Sequence, residues 1–277
     1  MVSADVKPAR ELLDFYLEAG VDSALGEEAV DHFADLEILP APDGGQTIRA
    51  GSAGGASDAA RSAPRMDQPV FAGGLVAPDA AAMEARAAAR SAQTLEELRD
   101  ILQRFDGCAL KSTATQLVFA DGTPGSRVML VGEAPGRDED IEGLPFVGRS
   151  GKLLDRMLAA IGLDRQHVYI ANIVPWRPPG NRTPTPQESQ ICLPFILRQI
   201  ELANPDILVC LGGPSAQTLL GMKEGITKTR GRWFDFDTGT REIRAIPTFH
   251  PAFLLRSPLQ KRFAWRDLLA IKKALES

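Results

Sequence analysis

The sequence predicts an α/β protein, a three-layer α/β/α sandwich around a four-stranded, mainly parallel sheet. Three observations carry this. Four short apolar runs, at 126–132, 168–173, 206–211 and 243–249, have the length and composition of buried strands. Amphipathic stretches near 151–161, 187–203, 214–222 and 259–275 follow them in turn, and strand–helix alternation builds a parallel sheet with helices on both faces. Each run also stops in residues that break a strand and carry chemistry: Gly132-Glu133-Ala134-Pro135-Gly136, Asn172, Gly212-Gly213 and His250-Pro251. In an open parallel sheet those C-terminal ends share one side, where ligands sit.

In order along the chain, residues 8–20 place Leu12, Leu13, Phe15, Tyr16 and Leu17 on a helical stripe stopped by Gly20. Residues 26–38 read as a second short helix, and residues 1–39 together as an N-terminal helical segment. From Pro40 to Pro78 the text is Gly, Ala, Ser, Asp and Pro, the composition of a flexible linker. The stretch 79–277 reads as the main folded domain. Within it, 79–92 is helical by its alanines, and Thr94-Leu-Glu-Glu97 is a capping box opening a helix over 95–105. Phe105 to Phe119 reads as a loop and then an extended segment. Thr185-Pro186 with Glu188 starts a helix, with Pro at its first position and acid in its first turn.

Composition narrows the classes. At 277 residues and 44% hydrophobic, the chain can bury a full core. It has no run of about 18 apolar residues, and its start lacks the apolar stretch of a secretory signal. No membrane association is expected. Three cysteines, Cys108, Cys192 and Cys210, are too few and too scattered for a disulfide framework, so a reducing cytoplasm is the expected setting. The net charge of −5 is uneven: residues 1–100 carry 8 Lys/Arg against 18 Asp/Glu (−10), and residues 101–277 carry 23 against 18 (+5). The basic part clusters at Arg177–Arg182, Lys228–Arg232 and Arg256–Arg266, and a basic face binds phosphates whatever the global sum.

The four strand ends bring Glu133, Phe146, Asn172 and His250 towards one pocket. An aromatic face stacks on a planar base. The Asn amide, with one acceptor and two donors, matches an imide edge such as uracil N3–H and O4. A His donates to a ring oxygen that gains charge as a leaving group departs. Apolar residues beside the His fill a gap in a base stack, while Arg256 and the Arg177–Arg182 loop hold phosphate. These are the parts needed to flip a base and cut its glycosidic bond. Taken singly, each has an ordinary explanation: a structural histidine, a loop anchor, a turn-capping Asn.

The strings GEAPG…PFVGRSG, ANIV…RPPGNRTPTP and HPAFLLRSP, in that order and each after an expected strand, resemble the family-4 branch of the uracil-DNA glycosylase superfamily. The likeness runs from about Cys108 to the C-terminus. It implies hydrolysis of uracil from DNA, with uracil-containing DNA as partner, by a monofunctional, monomeric enzyme. By position it implies that Phe146 stacks on the flipped uracil, that Asn172 reads its edge, and that His250 hydrogen-bonds O2. Leu254, flanked by Phe253 and Leu255, is then the wedge entering the duplex, and Arg182 and Arg256 contact the DNA. Gly132, Glu133, Ala134, Pro135 and Gly136 line the pocket and the sugar side. In the superfamily's best-known branch an Asp positions the attacking water, directly after the residue matching Glu133; here that residue is Ala134. Asp140 ranks first as the replacement and Glu133 second, and Glu139 or Asp140 restricts the space a thymine methyl would need.

Family-4 enzymes carry an iron–sulfur cluster on four cysteines. Here two of the matching positions are Cys108 and Cys192 and the other two are Phe105 and Trp176. The expectation is therefore no metal and no cofactor, since four thiolates are the usual requirement. Covalent product trapping, which in a related branch uses a His in the loop after Asn172, is not expected, because Pro178–Pro186 has none. Two further functions stay open: a non-catalytic binder of uracil-containing or single-stranded DNA, and a glycosylase shifted towards hypoxanthine.

Overall fold

The computed structural model describes residues 78–276. The expected N-terminal helices and most of the linker lie outside the described residues. Two helices open the described part, α1 (Pro78–Ser91) and α2 (Leu95–Arg104). Thr94 caps α2 as its sequence requires, its Oγ1 accepting from the Glu97 N–H at 3.1 Å. The segment expected to be loop and then strand forms a 3-10 turn at Ala109–Ser112 and a two-residue strand, β1 (Asp121–Gly122). The sheet and its helices follow as β2 (Val128–Gly132), α3 (Arg137–Glu142), α4 (Arg149–Ala159), β3 (Val168–Asn172), α5 (Pro186–Ala203), β4 (Ile207–Leu211), α6 (Gly213–Leu220), α7 (Ile226–Thr229), β5 (Phe234–Asp237), β6 (Glu242–Thr248), α8 (Pro251–Arg256) and α9 (Lys261–Glu276).

The sheet has six strands in the order β1-β3-β2-β4-β6-β5, two more than expected. The four apolar runs form its parallel centre, β3-β2-β4-β6. The two extra strands are antiparallel edges, β1 on β3 and β5 on β6. Both escape pattern reading for a physical reason: β1 is two residues long, and β5 (Phe-Asp-Phe-Asp) buries only Phe236 fully.

Side chains along the central strands alternate between two cores, as the period of a strand demands. Met129, Val131, Tyr169, Ala171, Leu208 and Cys210 face the core that holds residues of α1, α2 and α5. Val128, Leu130, Val168, Ile170, Ile207 and Val209 face the core that holds residues of α4, α8 and α9. All fifteen residues of β2, β3 and β4 are buried, which is why these strands read as unbroken apolar runs. The chain passes from β2 to β3 on one side, then crosses back to lay β4 on the other side of β2. That reversal opens a crevice beyond the C-terminal ends of the strands. Among the described residues no helix is long and apolar enough to cross a membrane.

Candidate active site

A cavity of about 640 Å³ fills this crevice. Glu133, Ala134, Pro135 and Gly136 line it from the end of β2, Phe146 from the following loop, and Asn172 from β3. Leu211, Gly212 and Gly213 come from β4 and α6, and His250, Phe253 and Arg256 from β6 and α8. Register fixes this meeting: Gly132 pairs with Asn172, and Leu211 with Thr248, two residues before His250. The ladder runs one step further, with Ile173 N–H donating to Gly132 O and Val174 N–H to Glu133 O, both at 3.0 Å. The floor under Glu133 and Asn172 is thus continuous backbone structure.

His250 caps α8. Its Nδ1 accepts the Ala252 N–H at 3.1 Å, so the ring proton sits on Nε2 in the neutral tautomer. Burial in the cavity wall and the positive charge of Arg256 lower its pKa to about 4. At neutral pH the ring is an uncharged N–H donor. The Phe146 ring lies 5.4 Å from it, centroid to centroid, at an interplanar angle of 30°. Asn172 is buried, and its Oδ1 is a buried acceptor without a hydrogen-bond partner in the protein. Leaving such an atom unpaired costs about 1–3 kcal/mol. Gly132 is required beside it, because a Cβ there would overlap Asn172 Oδ1 and the Phe146 ring.

Phe146 has φ +56°, a left-handed conformation that costs a bulky residue about 1–3 kcal/mol. Three contacts enforce it. Glu139, a cavity-wall residue, accepts the Gly136 N–H at 3.0 Å and the Gly148 N–H at 3.1 Å through its two carboxylate oxygens. Arg165 donates to the Phe146 carbonyl and, at 3.1 Å, to that of Pro145. Gly151 lets the Phe146 carbonyl lie against its own Cα, where a side chain would overlap it.

The two carboxylates expected to serve the water are placed differently. Glu133 is half-buried in the cavity wall, and burial raises its pKa above the usual Glu value. Asp140 is not among the cavity-lining residues. Its oxygens accept the Thr115 N–H and hydroxyl, both at 2.8 Å, with Arg177 at 3.8 Å. Asp140 clasps the segment before β1 to α3.

The expected wedge residue lies in the core. Leu254 is 1% exposed and packs in the core between α8 and α9, whereas Leu255 is 37% exposed. A helix turn puts positions 251 and 254 on one face, and both are buried. Phe253 and Arg256 line the cavity while Leu255 projects to solvent. Arg182 stands at the cavity and forms a two-pronged pair with Glu188 at 2.7 and 2.8 Å.

Sequence reasoning missed the supports. Arg230 and the buried Asp267 pair through two hydrogen bonds, and Asp267 also accepts the Thr248 hydroxyl at 2.7 Å. This buried group fixes the strand end that delivers His250. Arg165 is the other omission. Neither arginine carries a local signal, because each partner lies far away along the chain.

At the four positions read against the family-4 cysteines, Phe105 and Trp176 are buried, and Phe105 meets Phe195 edge-on at 5.0 Å. Cys108 and Cys192 are buried with their sulfurs 3.9 Å apart. Two thiols and two aromatic rings do not supply the donor set of a four-thiolate cluster. Among the described residues no group of three or more His, Cys, Asp or Glu is placed to hold a metal.

A family model described as the uracil DNA glycosylase superfamily matches residues 119–269. A type-4 uracil-DNA glycosylase from Thermotoga maritima is 44% identical over 169 residues, covering 59% of this chain and 86% of the relative. One from Archaeoglobus fulgidus is 40% identical over 171 residues, with the same two shares, 59% and 86%. One from Saccharolobus solfataricus is 39% identical over 188 residues, or 66% of this chain and 87% of the relative.

Proposed function

Because this chain belongs to the uracil DNA glycosylase superfamily, we propose that the cavity beyond β2, β3, β4 and β6 is where a flipped uracil is held and its glycosidic bond is cut. The chain is a uracil-DNA glycosylase, a hydrolase of base-excision repair that binds uracil-containing DNA. The observation that carries the reading of the site is the meeting of Phe146, Asn172, His250 and Glu133 around one cavity.

In this reading the uracil ring lies against Phe146. The orphaned Oδ1 of Asn172 accepts from N3–H, and the amide NH₂ faces O4. The neutral His250 donates Nε2–H to O2. As the C1′–N1 bond stretches, charge grows on the uracil and positive character on the sugar. The fixed N–H of His250 stabilises the anion without having to reorient, and such donors are each worth about 10²–10³ in rate. Water then adds to C1′. Of the two carboxylates expected to serve the water, Glu133 is the one in the cavity wall, so the water-positioning role falls to it. Asp140, whose oxygens are held by Thr115, takes a structural role instead. Gly132, Ala134, Pro135 and Gly136 leave backbone and open space beside the sugar, and Glu139 narrows the cavity where a thymine methyl would enter. Leu255, with Phe253 beside it, fills the vacated base stack. Arg256 and Arg182 meet phosphate, Arg182 exchanging Glu188 for it. No step uses a metal or cluster. The enzyme acts as a monomer in the reducing cytoplasm, a setting in keeping with its three free thiols.

The test uses end-labelled oligonucleotides carrying U, hypoxanthine, T opposite G, or normal bases only, with alkaline cleavage of abasic sites. Cutting at U alone is expected. Retardation without cutting would replace catalysis by binding, and preferential cutting at hypoxanthine would replace the uracil assignment.

A further inference from the structure

We propose that Arg165 is a positioning residue for uracil excision, holding the Pro145–Phe146 carbonyls from behind the cavity and so fixing the ring on which the base stacks. The proposal rests on the stacking role given to Phe146. Arg165 sits in the 3-10 turn before β3 and does not line the cavity. It therefore acts through Phe146 or not at all.

The guanidinium joins three parts of the fold. Its Nε donates to Asp155 on α4 at 2.8 Å, and one terminal nitrogen donates to Asp121 on β1 and, at 3.1 Å, to Pro145 O. The other terminal nitrogen donates to Phe146 O. Four of its five N–H groups are committed in this way. The two aspartates orient the fork, and the remaining donors clamp the loop. A residue serving only to tie α4 to β1 would need the aspartates alone. The two loop carbonyls are the additional feature, and they flank the one described residue other than Gly and Asn that has a positive φ. The Phe146 carbonyl lies between this fork and Gly151, while its ring faces the cavity. Glu139 grips the same loop from the cavity side at Gly148. Without Arg165 the loop keeps the Glu139 grip and the close approach at Gly151 but loses both carbonyl clamps, and it relaxes towards an ordinary φ, which swings the ring. Lys cannot replace the device fully, because one ammonium cannot reproduce a planar fork shared among four acceptors.

The experiment measures single-turnover excision of U from a duplex oligonucleotide by wild type, R165K, R165M, F146A and R165M/F146A. Thermal melting and affinity for the same duplex carrying an abasic site are measured alongside. R165M is expected to slow excision by about 10- to 100-fold, the scale of a reacting group misplaced by about 1 Å, with R165K recovering part of the loss. Abasic DNA, which has no base to stack, should bind both as tightly as it binds wild type. The double variant should be no slower than F146A alone. R165M at the wild-type rate beside a slow F146A overturns the brace while leaving the stacking role intact, as does a double variant slower by the product of the two single effects. F146A at the wild-type rate overturns the stacking role and the brace with it. Should R165M fail to fold, R165K decides: folded and slowed supports the proposal, folded and fast overturns it.

Discussion

At the scale of single residues, two titrating groups share one cavity and are both pushed towards neutrality by burial. His250 falls to about 4 and Glu133 rises above its ordinary value. The signs separate their contributions. His250 is already neutral above about pH 4, so it adds no limb near pH 6.5 to the rate profile. In its proposed role Glu133 serves water only when ionised, so the rate should fall as pH drops through its raised pKa, above where an ordinary Glu titrates. Single-turnover rates between pH 4 and 8 should show this acid limb in wild type. Glu133→Gln should remove the limb and lower the plateau, whereas Asp140→Asn should keep its position. The sequence brought both carboxylates to the right neighbourhood, since they stand within eight residues of each other. Which one faces the cavity depends on Thr115, whose backbone and hydroxyl claim Asp140 from 25 residues upstream. No local pattern encodes that claim.

At the scale of elements, the parallel centre was legible because β2, β3 and β4 are buried on both faces and hence apolar throughout. The helices were legible from caps, such as Thr185 and Glu188 bonding reciprocally at 3.2 and 2.7 Å. The edges were not: a strand as short as β1 exists only because β3 offers it partners. The burial of Leu254 on α8 was not legible for a different reason. Spacing from His250 selects Leu254, but the six-residue helix turns that face into the core. Leu254→Ala should therefore cost about 2–5 kcal/mol in urea unfolding, as buried truncations do. Leu255→Ala should leave stability within about 0.5 kcal/mol and weaken binding to uracil-containing duplex. The reverse pattern would return the wedge to Leu254.

At the scale of the whole molecule, two cores close on the sheet, and the one holding α1, α2 and α5 takes in Phe105, Cys108, Trp176 and Cys192 together. Burial of large aromatic side chains anchors the same segments that a four-cysteine cluster would tie together. The purified protein should be colourless and free of stoichiometric iron, and its thermal midpoint should not move when a chelator is added. A chelator-sensitive midpoint with bound iron would refute this. The two aromatic residues stand out in the sequence, Trp176 directly before the RPPGNR string and Phe105 three residues before Cys108. The packing of Phe105 on Phe195 does not, since the two lie 90 residues apart.

The unpaired Oδ1 of Asn172 is a buried acceptor in a residue that lines the cavity. In the reading proposed above, a base with a hydrogen at the matching ring position supplies the partner, and uracil carries one on N3. Cytosine, the normal base from which uracil arises by deamination, presents a lone pair there and an amino group where uracil has O4. Entering the same cavity, it would set lone pair against lone pair and leave the acceptor as unsatisfied as before. With Asn172 in its proposed role, the atom that accepts from uracil thus disfavours cytosine.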